Sequence, residues 1–300
     1  MKHKRFIWFS DFSDTERSGG AQFTNRTIIN KGREMGIDIE EIYLSQFDEG
    51  KYEEKNLGSE GDVFIINNFI KWYMTYPDMI EKIVDDFNFI RFVHDYDFIY
   101  GNIPEKLIKK IFDKAIVSFF LSPLHLNETK KVGISIKKEY IIPSPIEIDK
   151  YAKFSKESGK RIKNSIIYIG EVASHKGINN IINYALLNPE KTLDIYGWIP
   201  EPYLLDNLPK NVKYKGNLLQ EKVAETLSRY EYSIHLPIWS EPFGRSVAEA
   251  FFSGCKLITN NRVGFMSYIK EFIDVAIVGR MIKESAEVFW LKVLKETETL

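Results

Sequence analysis

Residues 240–254 read S-E-P-F-G-R-S-V-A-E-A-F-F-S-G, and their order specifies a strand end, a turn and a helix. The preceding stretch, Tyr232 to Trp239, is a short apolar run with the length and residue types of a buried strand. Glu241 closes that run, Gly244 opens a segment of helical composition, and Glu249 falls inside it. One carboxylate therefore sits in a loop at the C-terminal end of a strand, beside a helix N-terminus. The second lies about one and a half helical turns further on. Backbone N–H groups at a helix start, here from Phe243 onward, suit a phosphate or a sugar hydroxyl. Two carboxylates around such an anion hole suit a ligand that is part phosphate and part polyol, as a nucleotide sugar is.

The string Glu241-x7-Glu249, with Phe243-Gly244, Glu249-Ala250 and then Gly254, resembles the E-x-F-G-x4-E-A-x3-G signature of retaining GT-B glycosyltransferases, glycosyltransferase family 4 in particular. Two glutamates eight apart would by themselves fit a capped helix with one solvated carboxylate. The full string, strand then E-P-F-G then E-A then Gly, carries the resemblance. It implies a nucleoside-diphosphate sugar as donor, transfer to an acceptor hydroxyl with the anomeric configuration kept, and no metal or other cofactor. In its terms Glu241 holds sugar hydroxyls and Glu249 ribose hydroxyls, while Pro242, Phe243, Gly244 and Arg245 lie against the donor.

Composition agrees with a folded, globular protein. Three hundred residues accommodate two medium domains or one large one, and 44% hydrophobic with 28% charged residues is ordinary for a globular chain. A formal net charge of −1 argues against a nucleic-acid partner held by bulk electrostatics. The lone Cys255, in the apolar run C-K-L-I, reads as a buried strand residue and fits a reducing compartment. Met1 to Arg5 is basic, but only Phe6 to Phe9 is apolar before Ser10 and Asp11, too short for a signal peptide. No segment approaches a membrane span. The expectation is a cytoplasmic protein.

Apolar runs alternate with helical stretches along the whole chain. Strands are expected at Arg5–Phe9, Ile37–Leu44, Asp62–Ile66, Phe89–His94, Ala115–Leu121 and Tyr140–Ile142. A second series is expected at Ser165–Ile169, Thr192–Tyr196, Val212–Tyr214, Tyr232–Leu236, Lys256–Ile258 and Val275–Val278. Such alternation implies parallel sheets with helices on both faces. Two series imply two Rossmann-like α/β domains, each binding at the C-terminal ends of its strands. The polar stretch 146–164, with Lys150, Lys153, Ser158, Lys160 and Arg161, reads as the linker. The expected domains are 1–148, on the acceptor side and joined by 285–300 if the final helix crosses back, and 149–284, on the nucleotide-sugar side. GT-B enzymes have this two-domain shape, with the active site in the cleft between. The final helix, Lys283–Lys295, places Val288, Leu291 and Leu294 three apart on an apolar stripe, with Phe289 and Trp290 beside them.

Four further motifs follow from the resemblance. Ser18-Gly19-Gly20-Ala21 precedes a helix and resembles the loop with which the family touches the donor phosphate, so Gly19 and Gly20 are expected at the donor. The stretch G-E-V-A-S-H-K-G, 170–177, resembles the family's G-R-x4-K-G. Lys176 matches the lysine that neutralises the departing diphosphate, but Glu171 stands where arginine is usual, leaving Arg245 or His175 as substitute cations. His94-Asp95-Tyr96-Asp97 ends a strand, and His94 resembles the residue lying against the donor sugar. The rival reading, Asp95 and Asp97 as a metal-binding D-x-D, is set aside because the rest of the pattern is GT-B. Gly197, Asn217 and Leu218, at strand ends, are expected to line the base pocket.

Lysine doublets at 109–110, 130–131 and 137–138 give the first half a basic face. It suits either an anionic membrane surface or the usual solvated face of helices. The expected catalytic set is Glu241, Lys176 and His94. A different class, a nucleotide-sugar-binding subunit without activity, is kept open by Glu171. A dinucleotide oxidoreductase is disfavoured because no G-x-G-x-x-G is present.

Overall fold

The computed structural model describes residues 4–16, 19–50, 57–96, 103–157, 159, 161–272 and 274–298. Ser18, Asp97, Ser158 and Lys160 lie outside the described residues. The chain divides into two compact units, Met1–Pro145 with Arg280–Leu300, and Ile146–Gly279.

The first unit is built on six parallel strands: β1 (Phe6–Ser10), β2 (Ile39–Tyr43), β3 (Val63–Ile66), β4 (Asn88–Phe92), β5 (Ser118–Phe120) and β6 (Glu139–Ile141), in the order β2-β1-β3-β4-β5-β6. Strand β1 is buried throughout, as a strand covered on both faces must be. Its side chains alternate: Phe9 packs on Trp72 at 4.4 Å, while Phe6 meets Trp290 at 5.5 Å and Trp8 meets Phe289 at 6.1 Å. The Trp290 indole N–H also donates to the Ile28 carbonyl at 2.7 Å. A Cβ on Gly32 would approach Trp290 to 2.5 Å, so glycine lets the helix Gly20–Glu34 lie close to that ring.

The second unit has five parallel strands, β7 (Ile162–Ile169), β8 (Thr192–Tyr196), β9 (Val212–Tyr214), β10 (Tyr230–His235) and β11 (Lys256–Thr259), in the order β11-β10-β7-β8-β9. Its core joins Ile166 and Tyr168 of β7 to Leu193 and Ile195 of β8 and to Ile178, Ile181 and Ala185 of the covering helix Ile178–Leu186. In both sheets the order reverses beside the first strand of the unit, which puts the binding end at the strand C-termini.

Three expectations need correction. The stretch 146–164 is not an open linker, since Ile148–Glu157 is a helix with Ile148 and Tyr151 buried, and β7 begins at Ile162. Its first turn carries Asp149 and its last Lys156, which favours the helix dipole; the high charge reflects one solvated face. Val275–Val278 is not a strand but the opening of the final helix, Val275–Thr297. The Asp274 carboxylate accepts from the Ala276 N–H at 2.8 Å and starts it. The buried stripe on that helix is Val278, Ile282, Ala286, Phe289, Trp290 and Val293, whereas Leu291 is 53% exposed and Leu294 40%. Phe289 and Trp290 of the expected stripe are buried, while its Leu291 and Leu294 face outward. Short helices at Leu44–Asp48, Ile70–Thr75 and Gly264–Glu271 had no expectation.

Candidate functional site

Strand β10 ends at His235, and the chain then runs over Pro237 and Trp239 to Glu241. Glu241 is held at backbone level: its N–H donates to the Arg262 carbonyl at 2.7 Å, and its own carbonyl accepts from Gly264 at 2.9 Å. Phe243 is buried against Phe265 and Tyr268, at 6.0 and 6.2 Å. Its ring therefore anchors the loop in the core, and its carbonyl accepts from the Phe265 N–H at 2.6 Å. Gly244, in the left-handed region at φ 82°, precedes the helix Arg245–Phe252, and no side chain caps that helix. A Cβ at Gly244 would lie 2.7 Å from Val263.

The neighbouring loop after β7 delivers the cation. Residues Ser174–Lys176 form one 3-10 turn, and Gly177 turns the chain at φ 74° into the helix Ile178–Leu186. A Cβ on Gly177 would sit 1.9 Å from the Leu236 carbonyl oxygen, so only glycine lets this turn press against the end of β10. The result is a direct ion pair: Lys176 Nζ donates to Glu241 Oε1 at 2.6 Å, with the side chains 28% and 22% exposed.

Glu249 stands on the inner face of its helix, 4% exposed. Arg245 reaches its Oε1 at 3.4 Å, and the Gln220 amide at 3.5 Å. Gln220 in turn approaches the Tyr151 hydroxyl at 3.4 Å. Burial, and after it the field of Glu249, push the Tyr151 phenol well above its usual range. A solvated helix glutamate would have none of these neighbours.

Glu171, in place of the usual arginine, lies 3.5 Å from His175. Both suggested substitute cations thus have carboxylate partners, Arg245 with Glu249 and His175 with Glu171. The Ser174 hydroxyl and N–H bind Glu201 at 2.6 and 2.9 Å, tying this loop to the one after β8. There Gly197 donates to the Gly216 carbonyl at 3.0 Å and accepts from the Tyr214 hydroxyl at 2.8 Å. Asn217 is exposed and Leu218 half-buried on the adjoining turn.

Gly19, Gly20 and His94 belong to the first unit. Gly19 precedes the helix Gly20–Glu34 without a side-chain cap, and Gly20 is exposed. His94 is 4% exposed, with its ring 4.4 Å from that of Phe92. The Asp95 carboxylate accepts from the Asn68 amide at 3.0 Å. Cys255 is buried, its thiol pushed up to about 11 by burial, as expected of a structural cysteine. Most of the lysine doublets are matched by acids: Lys109 with Glu105, Lys110 with Asp85, Lys130 with Glu139, Lys131 with Glu128 and Lys138 with Glu296.

One site residue had no role in the sequence reading. His235 is buried at the end of β10, its Nε2 3.1 Å from the Ser233 hydroxyl and its ring 5.4 Å from that of Tyr168. Burial draws its imidazole down to about 4, against the pull of Glu241, with Lys176 adding to the fall. The available signal was the S-x-H alternation inside an otherwise apolar strand. Tyr151 and Gln220 gave no comparable signal.

Residues 150–291 match the family of glycosyl transferases group 1. The match covers the second unit from Lys150 onward. Solved structures of similar fold span nearly the whole chain. The Anabaena protein Alr3699/HepE, in complex with UDP and glucose, is 13% identical with a TM-score of 0.62, over 99% of this chain and 98% of that one. Sucrose-phosphate synthase of Thermosynechococcus elongatus is 12% identical with a TM-score of 0.67, over 99% and 94%. An alpha-glucosyltransferase in complex with UDP and a 13-mer DNA is 14% identical with a TM-score of 0.62, over 99% of each chain. No curated protein matches the chain. The fold of the chain is GT-B. Among its described residues no helix is long and apolar enough to cross a membrane.

Proposed function

We propose that this chain is a retaining, metal-independent glycosyltransferase that moves a sugar from a nucleoside-diphosphate sugar to an acceptor hydroxyl. The observation that carries the proposal is the pairing of Lys176 with Glu241 at 2.6 Å, with buried Glu249 on the helix that follows. Without donor the two charges satisfy each other. An arriving diphosphate competes for the ammonium and frees the Glu241 carboxylate to accept hydrogen bonds from sugar hydroxyls. Glu249 accepts those of the ribose. The sugar–phosphate bond then breaks, with its electron pair leaving on the diphosphate, while the acceptor hydroxyl bonds to the anomeric carbon from the same face. The departing phosphate oxygen takes the hydroxyl proton. Such a transition state needs positioning and charge stabilisation more than a protein nucleophile. Lys176 and the N-terminus of the helix Arg245–Phe252 supply the positive field. UDP, present in several structures of similar fold, is the first nucleotide to test.

Glu171 favours a second reading, a nucleotide-sugar-binding subunit without turnover. A carboxylate beside a diphosphate is repulsive unless His175 neutralises it. Calorimetry with a panel of nucleotide sugars, run beside a turnover assay in excess EDTA, separates the two. Donor consumption in EDTA supports the transferase, and binding with no consumption supports the subunit. Consumption that requires added Mg or Mn overturns metal independence.

A further inference from the structure

An ammonium on a flexible four-carbon stem is only as well placed as the backbone that carries it. For Lys176 that backbone is a single 3-10 turn, Ser174–Lys176. The Lys176 N–H closes it on the Ala173 carbonyl at 3.1 Å, and the Gly177 N–H on the Ser174 carbonyl at 2.9 Å. One isolated turn of this kind has little stability of its own. On one side the exit of β10 holds it, since the Ile238 and Trp239 N–H groups donate to the His175 carbonyl at 3.0 and 3.4 Å.

The other side is held by one carboxylate, Glu201, from the loop after β8. Its Oε1 accepts from the Ser174 N–H at 2.9 Å. Its Oε2 accepts from the Ser174 hydroxyl at 2.6 Å and from the Tyr203 hydroxyl. The Ser174 hydroxyl first, then the Tyr203 hydroxyl and the Ser174 N–H, hold its carboxyl down to about 2, so these charge-assisted bonds persist at neutral pH. The loop that carries Glu201 is itself fixed. A Cβ on Gly197 would lie 1.6 Å from the Gly170 carbonyl oxygen, so the two loops touch at their roots. The Val172 N–H donates to the Trp198 carbonyl at 2.8 Å. Leu204, in the 3-10 turn Pro202–Leu205 just after Glu201, is buried in the core of the second unit. Glu201 extends this rigid base out to the turn that ends in Lys176.

We infer that Glu201 is a positioning residue for the diphosphate subsite: it fixes the Ser174–Lys176 turn, so that the Lys176 ammonium is aimed before the donor arrives. Glu201 belongs to none of the motifs on which the family resemblance stands. The inference rests on the proposed role of Lys176 toward the diphosphate, and it assigns Glu201 no contact with the donor. Its effect on nucleotide binding therefore exists only while Lys176 is present.

The test is a double-mutant cycle in the full chain, with Glu201→Ala, Lys176→Ala and the pair together, read by UDP calorimetry. Amide hydrogen exchange without nucleotide is followed in the same proteins. Glu201→Ala should weaken UDP about tenfold, and Glu201→Gln, which keeps an acceptor for Ser174, about threefold. In the Lys176→Ala chain the Glu201→Ala change should alter UDP affinity less than about twofold, because nothing is left to position. Exchange in Glu201→Ala should quicken at Lys176 and Gly177 as well as at Ser174. The inference is overturned if Glu201→Ala binds UDP like the wild type, if it weakens UDP equally with and without Lys176, or if faster exchange is confined to Ser174. Should the alanine variant not fold, Glu201→Gln is read by the same three criteria. Wild type that does not bind UDP, or Lys176→Ala that binds it as tightly as wild type, counts against the proposed function instead. The exchange pattern then still decides whether Glu201 fixes the turn.

Discussion

Replacing Glu241 by glutamine should tighten nucleoside-diphosphate binding and slow transfer, an opposition that a merely structural residue would not produce. At 2.6 Å, two unit charges attract by about 6 kcal/mol at an effective dielectric of about 20. Both side chains are more than a fifth exposed, so desolvation and screening leave a net value of about 1 kcal/mol. That is the amount a diphosphate must overcome to capture Lys176, and Glu241→Gln removes it while keeping shape and hydrogen-bonding capacity. UDP affinity should therefore rise about fivefold. Turnover should fall about a hundredfold, roughly 2.7 kcal/mol, because the carboxylate is absent from the sugar when charge develops. Lys176→Ala is the complement and should cost UDP about 1.5–3 kcal/mol. Calorimetry with UDP and steady-state kinetics with a UDP sugar read both effects. Weaker UDP binding by Glu241→Gln, or turnover within about threefold of wild type, would refute the competition between carboxylate and diphosphate.

Glu249→Ala should weaken nucleoside-diphosphate binding by about 1.5–3 kcal/mol through a lost charge-assisted contact; equal calorimetric affinity in mutant and wild type would leave Glu249 a packing partner of Arg245 and nothing more. Acid should destabilise the fold through His235. Its folded value, about 4, lies below the roughly 6.5 of an unfolded histidine. Between those values the unfolded chain takes up a proton that the folded chain refuses, so the contribution is full above about pH 6.5 and about 3 kcal/mol is lost as pH falls to 4. Urea midpoints across that window should show a shallower slope for His235→Gln, and parallel curves would contradict the assignment. Trp290→Ala should cost about 3–5 kcal/mol of stability, because the ring is fully buried and its N–H is bonded to Ile28; a urea midpoint within about 1 kcal/mol of wild type would show that the final helix adds little to the first unit.

The parallel sheets were legible because β-branched and aromatic residues cluster in runs such as Phe6–Phe9 and Val63–Ile66, which have no solvent face to interrupt them. Lys176 and Glu241 were each expected at the donor from separate loop motifs, but their direct pairing was not legible, since it depends on Gly177 pressing on Leu236. The helix Ile148–Glu157 was hidden by its charge, because a run of lysines on one solvated face reads like a linker until Ile148 and Tyr151 are seen to be buried. Val275–Val278 was ambiguous in principle, as four apolar residues fit a strand or a first helical turn, and the Asp274 cap decides it. His235 was invisible for the opposite reason: a lone histidine in a strand acquires meaning only from what surrounds it.

The most direct test is proton NMR of the products formed from an α-linked UDP sugar in excess EDTA, with water or a methyl glycoside as acceptor. Release of UDP together with an α-configured product as the first species formed is the predicted result. A β-configured first product, or an untouched donor with tightly bound UDP sugar, would contradict it.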